Sequence, residues 1–372
     1  PPLVCTSVRT SARHLCCDPR VRFVRLCLPS FTDNAPTDRA RFNTEMAAIA
    51  FAASPVVGTK LATRNPRVSR RTRAAPTTRA AASTTTKSIS QTFVDLKKRN
   101  QCAFVPFICA GDPNLDATEK AVRILDDAGA DIIELGVPYS DPLADGPTIQ
   151  ASATRALASG TTLQQVIDLV ARLTPTVKAP IVLFTYYNPI YQRGFERFVS
   201  EIAAAGAKGL LVPDIPLEET KELSKICTKK GIDLVLLSTP TTPIDRMAKI
   251  ADASNGFIYL VSVTGVTGAR SGVESRVEEL VKKLKTVTDK PVCVGFGISE
   301  EAQARQVVQW GADGVIVGSA LVKALGESGS PEKGLEALQK LAVELRRGSN
   351  RDGAKEVGAS GGGFFANLFG KK

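Results

Sequence analysis

Seventeen residues, DIIELGVPYSDPLADGP at 131–147, hold the chain's best candidates for acid–base chemistry. Glu134 falls near the end of a short apolar run, and Asp141 and Asp145 follow it. A carboxylate in such a run is costly to bury unless it has a partner or a function. Pro138, Pro142 and Pro147, with Gly136 and Gly146, predict a shaped loop rather than a helix after the run. In that arrangement Glu134 and Asp145 face one substrate from opposite sides. The alternative is a salt-bridged Glu134 followed by two turn-capping aspartates.

A second set of residues suits an anion. GFG at 295–297 and VGS at 317–319 end two further apolar runs. Glycine lets backbone N–H groups approach an oxyanion, and a serine hydroxyl adds a donor. VTGVTGARSG at 263–272 is long and glycine-rich enough to act as a lid. The alternative for all three is a tight turn. Tyr259, in the run before that segment, is either an extra polar group of the site or a core tyrosine.

What the chain lacks narrows the chemistry. Its one histidine is His14. Residues 89–372 therefore carry no Ser-His-Asp or Cys-His nucleophilic site and no His-ligated metal. No lysine lies inside an apolar run; Lys178, Lys208 and Lys290 precede runs. This disfavours a Schiff-base mechanism and leaves carboxylate acid–base work. Of eight cysteines, Cys102, Cys109, Cys227 and Cys293 lie beyond residue 88, widely spaced, and read as reduced thiols packed as small apolar groups.

The elements that position these residues repeat. Apolar runs at 103–108, 131–135, 181–185, 209–212, 234–238, 257–261, 291–295 and 314–317 read as parallel strands buried on both faces. Between them lie helical patterns such as DATEKAVRILDDAGA, in which Ala121, Ile124, Leu125 and Ala128 share a face. AGAD (128–131), AGAK (205–208) and GADG (311–314) put a glycine where a helix ends before a strand. Eight such units predict an α/β fold, a single-domain (β/α)8 TIM barrel with its site at the C-terminal strand ends. A doubly wound open sheet is the alternative, but no GxGxxG follows the first strand.

Of 372 residues, 43% are apolar and 23% charged, and no apolar run approaches the roughly 18 residues of a membrane span. The net charge of +11 lies wholly in residues 1–88, since residues 89–372 hold 33 basic and 33 acidic residues. A basic nucleic-acid-binding face on the core is thus unsupported. Residues 46–88 hold eight Lys or Arg and no acid, with abundant Ala, Ser and Thr. That composition predicts an organelle transit peptide of chloroplast type, with Met46 as the expected true start. The expected divisions are a disordered leader at 1–88, a catalytic domain at 89–347 and a flexible tail at 348–372. The tail ends in GFFANLFGKK, a short docking segment or a frayed end.

Together, PFICAGDP (106–113), ELGVPYSDPLADGPTIQ (134–150), YYNPI (186–190), LLVPDIPLEE (210–219), YLVSVTGVTGAR (259–270), GFGIS (295–299) and GSALV (318–322) resemble the α subunit of tryptophan synthase from plants or algae, over about residues 90–346. The long second motif is the specific one. The resemblance implies a TIM barrel that cleaves indole-3-glycerol phosphate to indole and glyceraldehyde 3-phosphate in tryptophan biosynthesis. It implies Glu134 as the catalytic acid/base, Asp145 as the carboxylate that offsets charge on the indole nitrogen and takes up its proton, and Tyr259 as a lining residue. It further implies phosphate binding by Gly268, Gly297, Gly318 and Ser319, a lid residue at Thr267, and an indole pocket from Phe107, Phe184 and Phe296. The partner it implies is a pyridoxal-phosphate β subunit in an αββα complex, met through the loop from Pro138 to Asp141 and through Asn188 and Pro189. The chain itself is expected to bind no cofactor and no metal. Cys109, where the family often has threonine, and the tail depart from the pattern. The nearest rival is a free-standing indole-3-glycerol-phosphate lyase on the same scaffold. An inactive partner-binding barrel and another phosphosugar enzyme are weaker ones.

Overall fold

Short strands buried on both faces need helices outside them and side chains inside, and a closed barrel supplies both. The computed structural model describes residues 86–262, 274–295 and 297–351, without the side chains of 274–276. The strands are β1 (Ala103–Cys109), β2 (Ile133–Gly136), β3 (Ile181–Phe184), β4 (Gly209–Leu211), β5 (Asp233–Ser238), β6 (Ile258–Val261), β7 (Val292–Gly295) and β8 (Gly314–Val317). They pair in parallel in chain order, and β8 closes onto β1 through Ala103↔Gly314 and Pro106↔Val317. An open doubly wound sheet is thereby excluded. Gly129, Gly206 and Gly311 take positive φ (91°, 91° and 89°) where helices turn into β2, β4 and β8, as the three glycine phrases predict.

Alternation sorts the side chains. Phe104, Ile108, Ile133, Leu135, Ile181 and Leu183 point outward into the layer between strands and helices. Ala103, Val105, Ile132, Val182, Leu211, Val235, Phe257, Tyr259, Cys293 and Ile316 fill the interior. Since strand side chains alternate, Glu134 lies inward, one step above Ile132 toward the C-terminal end. The other end is plugged. The helix Ile89–Lys98 is N-capped by Ser88, which accepts from Gln91 N–H, and it sends Ile89, Phe93 and Leu96 into the interior cluster. Phe93 meets Phe257 with ring centroids 5.8 Å apart.

Two details differ from the sequence reading. The second strand starts at Ile133 rather than 131, because Asp131 anchors the barrel floor. Its Oδ2 accepts from Phe104 N–H at 3.0 Å and pairs with Arg346 at 3.1 Å, tying the final helix Pro331–Gly348 to the barrel. The loop after β2 also does not stay irregular. Gly146 becomes an N-cap and Pro147 opens the helix Pro147–Ala158, since proline lacks an N–H that the first helical turn would leave unbonded anyway.

That helix is clamped to the end of β1. Asp112, 1% exposed, accepts from Ser152 Oγ at 2.5 Å and from Arg155 Nε and Nη2 at 2.8 and 2.7 Å. Removing the carboxylate would strand a buried hydroxyl and a half-buried guanidinium. Asp112→Ala is expected to lose about 3 kcal/mol of stability in urea unfolding, with the second half of Pro147–Ala158, which carries Ser152 and Arg155, gaining amide exchange first.

The four described cysteines are all free and buried, which matches their reading as packed thiols. Burial pushes the Cys109 thiol up to about 12, so it is inert at neutral pH. Among the described residues no helix is long and apolar enough to cross a membrane.

Candidate active site

A cavity of about 410 Å³ opens at the C-terminal strand ends. Its walls come from β1 (Phe107), β2 (Glu134), β3 (Phe184), β6 (Tyr259) and β8 (Ile316), and from the segments just after β2, β7 and β8. The register explains the convergence. Phe107 sits opposite Glu134 and Glu134 opposite Val182, so β1, β2 and β3 present inward residues at matched heights.

Glycines at the strand ends leave room for aromatic rings. A Cβ on Gly136 would meet Phe107 Cζ at 2.7 Å, and one on Gly295 would collide with the Tyr259 ring and hydroxyl. Phe107 and Phe184 meet edge to face, with centroids 5.3 Å apart and planes at 73°. The result is a flat apolar slot with carboxyls at its edge. Such a slot suits a planar aromatic ligand.

Glu134 is 1% exposed, and its Oε1 has no hydrogen-bond partner. No cation pairs with it among the described residues, so the salt-bridge alternative fails. Burial alone pushes its carboxyl up to about 8, and it holds its proton at neutral pH. Asp145, 8% exposed, is raised to about 6 by burial, with a hydrogen bond from the Tyr186 hydroxyl acting in the opposite direction. It is largely ionised at pH 7. One carboxyl is thus a proton donor and its neighbour an anion, as acid and base roles require. Tyr259 is buried, and its hydroxyl is driven well above 10 by burial and by the charge of Glu134 and Asp145. It serves as a neutral polar group.

The loop that carries Asp145 is fixed at several points. Asp145 N–H donates to Pro142 O at 3.1 Å, and Gln150 Nε2 donates to Asp145 O at 2.8 Å. Tyr186 Oη accepts from Ala144 N–H at 3.1 Å. Tyr139 stacks on Tyr186 at 5.1 Å, and Asn188 Nδ2 donates to Tyr139 Oη at 3.2 Å.

Gly297, Gly318 and Ser319 line the opposite wall. Gly297 has φ +82°, a conformation few side chains accept. Gly318 is the N-cap of the helix Ser319–Gly326, whose first-turn N–H groups have no acceptor within the helix. This wall can hold an anion. Thr267, Gly268 and Phe296 lie outside the described residues, as does the whole lid segment 263–272.

Of the residues assigned to a partner, Asp141 and Asn188 are exposed and Pro189 is half-buried. Pro138 is buried in this chain, and Leu143 in the same loop is 93% exposed. Two residues of the site escape a search confined to strand ends. Tyr186 stands two residues past β3 in the YYNPI motif, and Lys323 lies four residues past Ser319 on the same helix. Their signals were adjacency to a strand end and helical i,i+4 spacing. No group of three His, Cys, Asp or Glu with metal-binding proximity occurs among the described residues.

Residues 93–350 match the family described as Tryptophan synthase alpha chain. The tryptophan synthase alpha chain of a Picosynechococcus strain is 60% identical over 259 residues, covering 70% of this chain and 98% of its own. That of Rippkaea orientalis is 57% identical over 265 residues, covering 71% and 99%. Among solved structures, Mycobacterium tuberculosis tryptophan synthase superposes with a TM-score of 0.66 at 38% identity, over 72% of this chain and 99% of that one. A chain from the tryptophan synthase α2β2 complex of Pyrococcus furiosus superposes at 0.62 with 41% identity, over 66% and 98%. A barrel that presents an acid and an anion to one aromatic slot, and a sequence that matches along that whole barrel, have one common explanation: the chain belongs to the tryptophan synthase alpha chain family.

Proposed function

We propose that this chain cleaves indole-3-glycerol phosphate to indole and glyceraldehyde 3-phosphate, with Glu134 and Asp145 as the reacting pair. The observation that carries the assignment of roles is the split between the two carboxyls, about 8 for Glu134 and about 6 for Asp145, at the edge of one aromatic slot.

The steps follow from that split. Glu134, protonated, gives its proton to C3 of the indole ring. The ring becomes cationic, with charge at its nitrogen, and the Asp145 carboxylate offsets that charge. Glu134, now a carboxylate, takes the proton of the hydroxyl on the carbon attached to the ring. The oxygen's electrons form the new carbonyl, and the electrons of the breaking carbon–carbon bond return to the ring. Indole and the aldehyde leave, and Glu134 has its proton back. Phe107 and Phe184 hold the ring and Tyr259 lines it. Gly297, Gly318 and Ser319 hold the phosphate through N–H groups and a hydroxyl. Thr267, Gly268 and Phe296 keep the lid, phosphate and indole roles that the resemblance implies.

The partner in this reading is a β subunit in an α2β2 complex, and the pyridoxal phosphate belongs to that subunit. In the Pyrococcus furiosus α2β2 complex activation is mutual, which supports the same coupling here. Asp141, Leu143, Asn188 and Pro189 form the contact surface. The acid-free segment at 46–88 supports delivery to a chloroplast, in keeping with relatives from cyanobacteria.

The test is indole release from indole-3-glycerol phosphate, measured for the full chain alone and with a β subunit. Slow release that rises strongly with β is the expected result. Fast release unchanged by β would assign the chain to free-standing lyases. No release from folded protein under either condition would overturn the reading.

A further inference from the structure

The cavity holds two carboxyl groups and, among its described lining residues, one cation, Lys323. The proposed substrate ends in a phosphate dianion. Bringing that dianion into the same cavity as the Asp145 carboxylate is unfavourable unless positive charge meets it. The partial charge of a helix N-terminus is roughly half an elementary charge, well short of neutralising a dianion.

Lys323 is placed to supply the rest. It follows Ser319 by four residues on the helix Ser319–Gly326, so the two share a face. Helical side chains lean toward the N-terminus, so the Lys323 stem covers the turn that Ser319 begins. Both residues line the same cavity. A basic side chain on the adjoining helix Pro147–Ala158 behaves differently: Arg155 is locked onto Asp112 at 2.7 Å. No carboxylate stands within 4 Å of Lys323 among the described residues, and its side chain is exposed at the rim. An unneutralised ammonium over an anion-binding turn is a group waiting for a ligand's charge.

We propose that Lys323 binds the substrate's terminal phosphate and makes the site selective for phosphorylated over unphosphorylated ligands. This rests on the reading of the substrate given above. The phosphate lies far from the bonds that change, so Lys323 binds ground state and transition state alike and acts on KM rather than kcat.

The experiment compares Lys323→Met, Lys323→Gln and Lys323→Arg with the native chain, each as the full chain in complex with a β subunit. KM and kcat are measured for indole-3-glycerol phosphate. Inhibition is measured with glycerol 3-phosphate, which carries the phosphate, and with indole, which does not. Met and Gln are expected to raise KM and the glycerol 3-phosphate inhibition constant roughly tenfold, about 1.4 kcal/mol, with kcat within about twofold. Indole inhibition should not move, and Arg should recover most of the loss. Native KM should rise with salt, and that of Lys323→Met should be nearly flat. Unchanged KM and phosphate inhibition would overturn the proposal, as would an equal weakening of indole. If the native complex releases no indole, the substrate reading fails on its own; glycerol 3-phosphate titrated into native and Met chains by calorimetry then still decides whether Lys323 binds phosphate.

Discussion

Glu134→Gln is expected to give a folded barrel that releases indole about 10⁴-fold more slowly. The size follows from the double use of one group. In the proposed mechanism Glu134 first gives a proton to the ring and then takes one from the hydroxyl, and an amide does neither. The fold is expected to survive because Glu134 enters the cycle as a neutral acid, with its pKa pushed up to about 8. Glutamine is therefore close to isosteric with the state already buried. Stability gives an independent check. Against an unfolded value near 4.5, the native protein keeps this proton to about pH 8, while the unfolded chain has released it. The native protein thus loses stability as pH rises from about 4.5 to about 8. Glu134→Gln removes that slope. The two proteins should unfold alike near pH 4.5, and the variant should be the more stable at pH 8.5. Indole release fixes the catalytic part and urea melts at the two pH values fix the electrostatic part. A variant retaining a tenth of native activity would remove Glu134 from the acid role.

The barrel was legible because each level of the sequence agreed with the next. β3, β4, β7 and β8 fall within one residue of the runs at 181–185, 209–212, 291–295 and 314–317. These strands are apolar on both faces, and only closure with helices outside satisfies eight of them. Glu134 was legible for the opposite reason, as the charge that breaks an apolar run. What stayed hidden depends on long-range contacts or on helices. Asp112 and Arg155 are 43 residues apart, and nothing local marks them as a pair. Asp131 looks like the first residue of a strand until its partner Arg346, more than 200 residues away, is in place. Tyr186 reaches Asp145 only because β3 lies beside β2. Lys323 is hidden for a different reason: it reaches the cavity from the helix after β8 rather than from a strand.

Asp145→Asn is expected to lower turnover about 10²-fold and to remove the acid limb of the pH profile. In the native protein, kcat/KM should follow a bell. The proposed mechanism needs Asp145 ionised and Glu134 protonated, so the limbs are expected near about 6 and about 8. Asparagine still accepts a hydrogen bond from the indole N–H, but it carries no charge to offset the cationic ring. The loss is smaller than at Glu134 because the proton transfers to C3 and from the hydroxyl are kept. Only the limb near 8 should remain in that variant. Tyr186→Phe isolates the cause. Its hydroxyl bonds the Asp145 carboxylate and favours the charged form, against the burial that disfavours it. Phenylalanine keeps the stack on Tyr139 and removes that bond, so Asp145 should protonate at higher pH. The acid limb should move upward while the alkaline limb stays in place. If both limbs moved together, the two carboxyls would titrate as one coupled unit. The separation of acid from anion within the slot would then be lost, and with it the assignment of one role to each carboxyl.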